Sequence, residues 1–166
     1  MTEQDDDVRA RSEQVLAAFE SFKGQPLGEI ADFPVPPFTQ WLNGKIISAA
    51  RGALELEYIV RPEMANPTGL LHGGMQCGMM DDAIGMTCAT LGLKGFLISI
   101  DLHVDYLGKV QVGENVQVTA SIQREGRTVV NAHAEIRDQA GQLVATANSN
   151  LLRTSHVPEY AKAARL

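Results

Sequence analysis

Alternating apolar and polar positions are the clearest signal in the chain. Between Leu97 and Tyr106, the residues Ile98, Ile100, Leu102, Val104 and Tyr106 alternate with Ser99, Asp101, His103 and Asp105. A period of two predicts a strand with one apolar and one polar face. Leu54, Leu56, Tyr58 and Val60, interleaved with Glu55 and Glu57, predict a second strand. A strand over Ile46–Ala50 precedes it, turned at Arg51-Gly52. Asn115–Arg124 and Arg127–Arg137 read as strands joined by a tight turn at Glu125-Gly126. A turn at Asp138–Gly141 then leads into a last strand, Gln142–Arg153.

Two segments follow the helical period instead. Asp5–Lys23 has an acidic start and a stripe of Val15, Leu16, Phe19 and Phe22, the pattern of a surface helix. Gly73–Leu91 is apolar almost all round, which predicts a buried helix. Between the first helix and the strands, FPVPPFTQW (Phe33–Trp41) is too rich in proline for regular helix or central strand and reads as an ordered connector carrying aromatics. The order is a helical arm, two strands, one long central helix and four strands. That is an α+β layout, an antiparallel sheet around one buried helix.

A length of 166 residues suits one domain with a sizeable core. The expected divisions are an arm and connector over 1–42, the main domain over 43–155 and a tail over 156–166. A net charge of −6 argues against nucleic-acid and anionic-membrane partners, while a few local cations still suit an anionic small ligand. No apolar run is long enough to span a bilayer. The acidic start MTEQDDDVRAR lacks the features of a signal peptide, so a cytoplasmic protein is expected. Cys77 and Cys88 would lie about 16 Å apart on a helix and cannot bridge, so both read as small buried hydrophobes. The four histidines show no metal-ligand spacing, and no metal is expected.

The candidate chemistry sits in the central helix. Gly74, Gly78 and Gly85 fall on one face, within roughly 40° of each other at about 100° per residue, and Ala89 continues it. Each glycine costs roughly 1 kcal/mol against alanine in a helix, so the stripe must let something approach the backbone. Asp81 lies in the middle of the stripe. Asp82 points about 100° away, toward Met75, Met79 and Met86, where an edge position or a pairing cation is expected. Met75, Met79, Met80 and Met86 read as core, some of them lining a plastic pocket. Two readings stay open at this point: close sheet packing around a hydrogen-bonded carboxylate, or a substrate site. The preceding TGLLHGG ends at a glycine-rich helix N-terminus, whose free N–H groups suit a carbonyl oxygen or oxyanion. An oxyanion site together with a carboxylate suits hydrolysis of an activated ester.

Asn66, Gly69, LHGG at Leu71–Gly74 and Asp81 nine residues after His72 together resemble the hotdog-fold acyl-CoA thioesterases, in particular the phenylacetic-acid-degradation (PaaI-like) subgroup. SIDLHVDYL (Ser99–Leu107) resembles that family's third strand, and REGRTVVNAHAEIRDQAGQLVATANSNLL resembles its closing strands. The resemblance covers roughly Gly44–Arg153 and leaves out the N-terminal arm. It implies a hotdog fold and assigns Asp81 as catalytic carboxylate, either general base or nucleophile. It implies that the Gly73 N–H polarises the thioester carbonyl and that His72 bonds near the thioester. Asn66 would hold substrate or water, and Ser99 would assist water placement. The plain alternatives are a helix cap for His72, an Asn-Pro turn for Asn66 and an ordinary strand residue for Ser99.

Gly74, Gly126, Arg127 and Thr128 are expected to bind substrate, and the resemblance implies that the Gly126–Thr128 stretch contacts its pantetheine. Arg124, Arg153 and Lys109 are further candidate cations for its phosphates. The resemblance also implies a homodimer with active sites shared between subunits, often paired into a homotetramer. The expected function is hydrolysis of a medium-chain or aryl-CoA thioester to the free acid and CoA, with no cofactor other than the CoA carried by the substrate. The alternative is a non-catalytic hotdog protein binding acyl-CoA or an aromatic ligand. The hotdog dehydratases fit less well, because their His–carboxylate motif is not found here.

Overall fold

The computed structural model describes residues 3–31 and 33–157. The expected tail over 156–166 lies outside the described residues from 158 onward. Six strands form one sheet: β1 (Lys45–Ala50), β2 (Ala53–Ile59), β3 (Leu97–Tyr106), β4 (Asn115–Glu125), β5 (Val129–Asp138) and β6 (Leu143–Arg153). Their spatial order is β1-β2-β4-β5-β6-β3, with every neighbouring pair antiparallel. Among the described residues three α-helices accompany them: α1 (Glu3–Phe22), α2 (Pro37–Leu42) and α3 (Gly73–Ala89).

The sheet wraps α3. Leu54, Leu56 and Tyr58 of β2, Val116 and Val118 of β4 and Ile136 of β5 are buried, as are Met79, Met80, Ala83 and Ile84 of the helix. Alanines at 120, 132, 134, 145 and 147 are also buried, and their small side chains let α3 lie close to the strands. At one end of the sheet α1 packs against β1, and Gly24 and Leu27 bond back to Ile46 and Gly44. At the other end β3 has no strand beyond it among the described residues.

Three local expectations are corrected. Residues 37–42 form a short helix, although the Pro-rich stretch reads as non-helical from sequence. Pro37 opens that helix, where its missing N–H is harmless, and Asn43 closes it in the left-handed region at φ 55°. Second, α3 is not buried all round. His72, Gly74, Asp81, Gly85 and Ala89 are exposed in the single chain, so most of the glycine stripe faces outward, with Gly78 half-buried. Third, β3 is not a regular strand. Ser99 pairs with Leu151 and Asp101 pairs with Asn150, so Ile100 is an extra, bulged residue. A one-residue insertion reverses the faces on either side of it. Ser99 therefore shares the helix side with Leu102, Val104 and Tyr106, whose partners Ser149, Ala147 and Ala145 are buried. Ile98 and Ile100, expected on the apolar face, are 47% and 59% exposed.

Candidate active site

The bulge brings Ser99 over α3, where its hydroxyl donates to Asp81 Oδ1 at 3.1 Å. Asp81 and Ser99 sit where two cavities meet. An open cleft of about 420 Å³ is lined by Cys77, Gly78, Asp81, Ser99, Asp101 and Leu102. A chamber of about 340 Å³ lies on the other side, walled by Phe19, Phe22, Phe33, Val35 and Ile46 of the arm and β1 and by Gly85 and Met86 of α3. Phe38 of α2 lines both. A Cβ on Gly78 would stand 2.8 Å from the Phe38 ring, so this glycine admits the aromatic. A Cβ on Gly85 would meet nothing within 4 Å, because the residue opens onto the chamber.

Asp82 differs from its neighbour. The expectation of an edge or a pairing cation is not met: no cation bonds to it among the described residues. Thr39 Oγ1 of α2 donates to Asp82 Oδ1 at 2.7 Å, and Oδ2 is enclosed without a partner among the described residues. Burial raises the Asp82 carboxyl to about 6; the Thr39 bond opposes that rise and the charge on Asp81 adds to it. The buried Tyr58 hydroxyl also has no partner among the described residues, and burial, then the Asp82 charge, drives its pKa well up.

At the N-terminus of α3, His72 is the cap: its Nδ1 accepts the Gly74 N–H at 2.8 Å. Met75 N–H and Gln76 N–H donate to the His72 carbonyl. The Gly73 N–H has no acceptor among the described residues. It is thus the free donor of the first turn, at the positive end of the helix dipole. Gly73 precedes Asp81 by eight residues, about 12 Å along the axis. One carbonyl group cannot meet both within a single chain. Asn66 Oδ1 accepts from Thr68 N–H, Thr68 hydroxyl and Leu70 N–H, and so organises the turn leading to His72.

The Gly126–Thr128 stretch lies elsewhere in the chain. Gly126 and Thr128 bond through their carbonyls to Arg153, and Arg51 bridges Glu125 to the Leu91 carbonyl just past α3. The β4–β5 turn, with exposed Arg127, is therefore at the end of α3 opposite His72–Gly74. Cys88 is buried and its thiol is pushed up to about 12 by burial. Cys77, also expected to be buried, is partly exposed and lies 3.0 Å from the Tyr106 hydroxyl. Sequence reasoning missed Cys77 as a site residue. Cys77 was legible in principle, being one turn before Asp81 on the same face. Phe38, Trp41 and Leu42 read from sequence either as closing a pocket or as packing the arm, and the fold lays Phe38 of α2 on Gly78 beside Asp81.

A family model described as the thioesterase superfamily matches residues 68–145. Acyl-coenzyme A thioesterase 13 of Homo sapiens is 31% identical over 107 residues, covering 61% of this chain and 75% of its own. The structure of a phenylacetic acid degradation-related protein from Ralstonia eutropha matches with a TM-score of 0.67 and 32% identity, covering 76% of this chain and 95% of that one. The E. coli PaaI protein from the phenylacetic acid degradation operon matches at a TM-score of 0.67 and 19% identity, covering 87% and 97%.

Proposed function

This chain belongs to the thioesterase superfamily, with the hotdog fold, and from that premise we propose that it hydrolyses medium-chain or aryl-CoA thioesters at sites completed by a second copy of itself. The observation that carries this reading is the Asp81–Ser99 pair at the junction of a polar cleft and an apolar chamber. A chamber of about 340 Å³ is a little over twice the ~150 Å³ cavity known to hold benzene. That volume suits a phenylacetyl-sized or medium-length acyl group.

The separation of Gly73 from Asp81 along α3 supports a shared site. A two-fold pairing through β3 would bring one copy's Gly73 toward the other's Asp81. The unpaired β3 edge, exposed Ile98, Ile100 and Leu107, and the outward glycine stripe all suit such an interface. The same pairing would carry Gly126, Arg127 and Thr128 of one copy toward the other's Gly73 and Gly74. A tetramer built from two such dimers belongs to the same reading. So does a reducing, cytoplasmic setting, which suits the free thiols of Cys77 and Cys88.

In this scheme CoA enters as part of the substrate. The Gly73 N–H donates to the thioester carbonyl oxygen and stabilises the oxyanion, a contact worth about 10²–10³ in rate. His72 holds the first turn in place and leaves that N–H free. Asp81 takes a proton from water as the water oxygen bonds to the carbonyl carbon, with Ser99 fixing the carboxylate. The C–S bond then breaks, the CoA thiolate leaves and is protonated, and the acid remains. The test is thiol release from short-chain, medium-chain, long-chain and aryl-CoA thioesters by wild type and folded Asp81→Asn. The expected result is turnover of medium-chain or aryl members and a loss of about 100-fold or more in the variant, about 2.7 kcal/mol of barrier. Equal rates for the two proteins would sink the proposal.

A further inference from the structure

The contact between Ser99 and Asp81 exists because of the β3 bulge, so whatever fixes the bulge sets the site. In a regular strand Ser99 would share a face with Asp101, His103 and Asp105, pointing away from α3. The extra residue Ile100 reverses that. A bulge also leaves a ladder donor without its usual acceptor. Here the donor is the Asn150 N–H of β6, and Asp101 Oδ1 accepts it at 2.9 Å. Asn150 Nδ2 donates to Asp101 Oδ2 at 2.7 Å, and Asn131 Nδ2 of β5 donates to Asn150 Oδ1. The Ser149 hydroxyl donates to the Asp101 carbonyl at 2.7 Å. Both carboxylate oxygens of Asp101 are thus committed to holding β3 against β6 at the bulged step.

We propose that Asp101 is a positioning residue for thioester hydrolysis: its carboxylate replaces the lost ladder bond at the bulge and thereby holds the Ser99 hydroxyl on Asp81. Asp101 lines the same cleft, but its oxygens face Asn150 rather than Asp81. It acts through the backbone of residues 99–101 and not on the substrate. The two bonds from Asn150 also hold its pKa below the usual carboxylate range, the side-chain amide contributing most. The carboxylate is therefore ionised and an acceptor throughout the neutral range.

The proposal rests on the thioesterase reading, and the test separates the two. Kinetics are measured with phenylacetyl-CoA and octanoyl-CoA for wild type, Ser99→Ala, Asp101→Ala and the double variant. Asp101→Ala should lower kcat about tenfold or more with KM within about twofold, as expected when a catalytic group is misplaced rather than removed. In the Ser99→Ala background Asp101→Ala should cost nothing further, because the hydroxyl it positions is gone. The exchanged pair Asp101→Asn with Asn150→Asp keeps every donor matched to an acceptor and should recover most of kcat. It also decides the matter if Asp101→Ala does not fold. Wild-type kcat in Asp101→Ala, a loss that simply adds to that of Ser99→Ala, or an exchanged pair no better than Asp101→Asn alone would overturn the proposal. Hydrolysis of neither thioester by wild type would overturn the thioesterase reading, and this proposal with it.

Discussion

Asp81 and Asp82 are adjacent in sequence and occupy opposite environments. Helical geometry alone separates them by about 100°, which is why Asp81 on the glycine stripe is identifiable from sequence. The surroundings of Asp82 are not, because its partner Thr39 lies 43 residues away on a helix hidden in a Pro-rich stretch. The consequence for Asp82 is a pH-dependent stability. Its carboxyl sits at about 6 in the folded chain against an ordinary 3.8, so folding favours its protonated form. The stability this lends is fully present below the ordinary value and is lost as pH rises through about 6. Ionised Asp82 should cost about 3 kcal/mol of stability at pH 8 and about half that at pH 5. Asp82→Asn keeps an acceptor for Thr39 and carries no charge. Urea unfolding should therefore find it more stable than wild type at pH 8, with the gap narrowing by about half at pH 5. A gap that is constant with pH would show that the carboxyl is not held high by burial.

The strands and the long helix were legible because each presents one period to one buried surface. The alternating residues of β2, β4, β5 and β6 and the apolar length of α3 all lie within two residues of expectation. β3 shows where that logic stops. Its alternation is regular in the sequence, yet the chain inserts a bulge at Ile100, stabilised by bonds from Ser149 and Asn150 to Asp101, 48 and 49 residues apart in sequence. No residue of β3 itself announces this. α2 is similar: its proline is permissive at the first turn, and the element is fixed by burial of Thr39 and Leu42. From α2, Phe38 divides the cleft from the chamber. Phe38→Ala should merge the two spaces and shift preference toward longer acyl groups. The ratio of kcat/KM for dodecanoyl-CoA to that for hexanoyl-CoA should rise by about tenfold or more, the worth of one apolar pocket contact. An unchanged ratio would mean that Phe38 does not bound the acyl site.

At the scale of the whole molecule, the proposed shared site has one chain holding parts that a second copy completes. The free Gly73 N–H and the Asp81 carboxylate lie about 12 Å apart along α3, and β3 leaves an edge with exposed isoleucines. Ile98→Glu places a charge on that exposed edge and should yield folded monomers in sedimentation, with activity lost although Asp81 is intact. A dimeric, active variant would contradict an interface at this edge. The most direct test of the shared site uses two inactive chains. Asp81→Asn removes the carboxylate. Gly73→Pro removes the free N–H at a first helical position that accepts proline. Co-expressed under different tags and purified through both, the mixed dimer has one site built from intact Gly73 and intact Asp81. Its predicted activity is about half that of wild-type dimer, one working site of two, while either variant alone is inactive. A mixed dimer as inactive as its parents would contradict a site completed across the two chains.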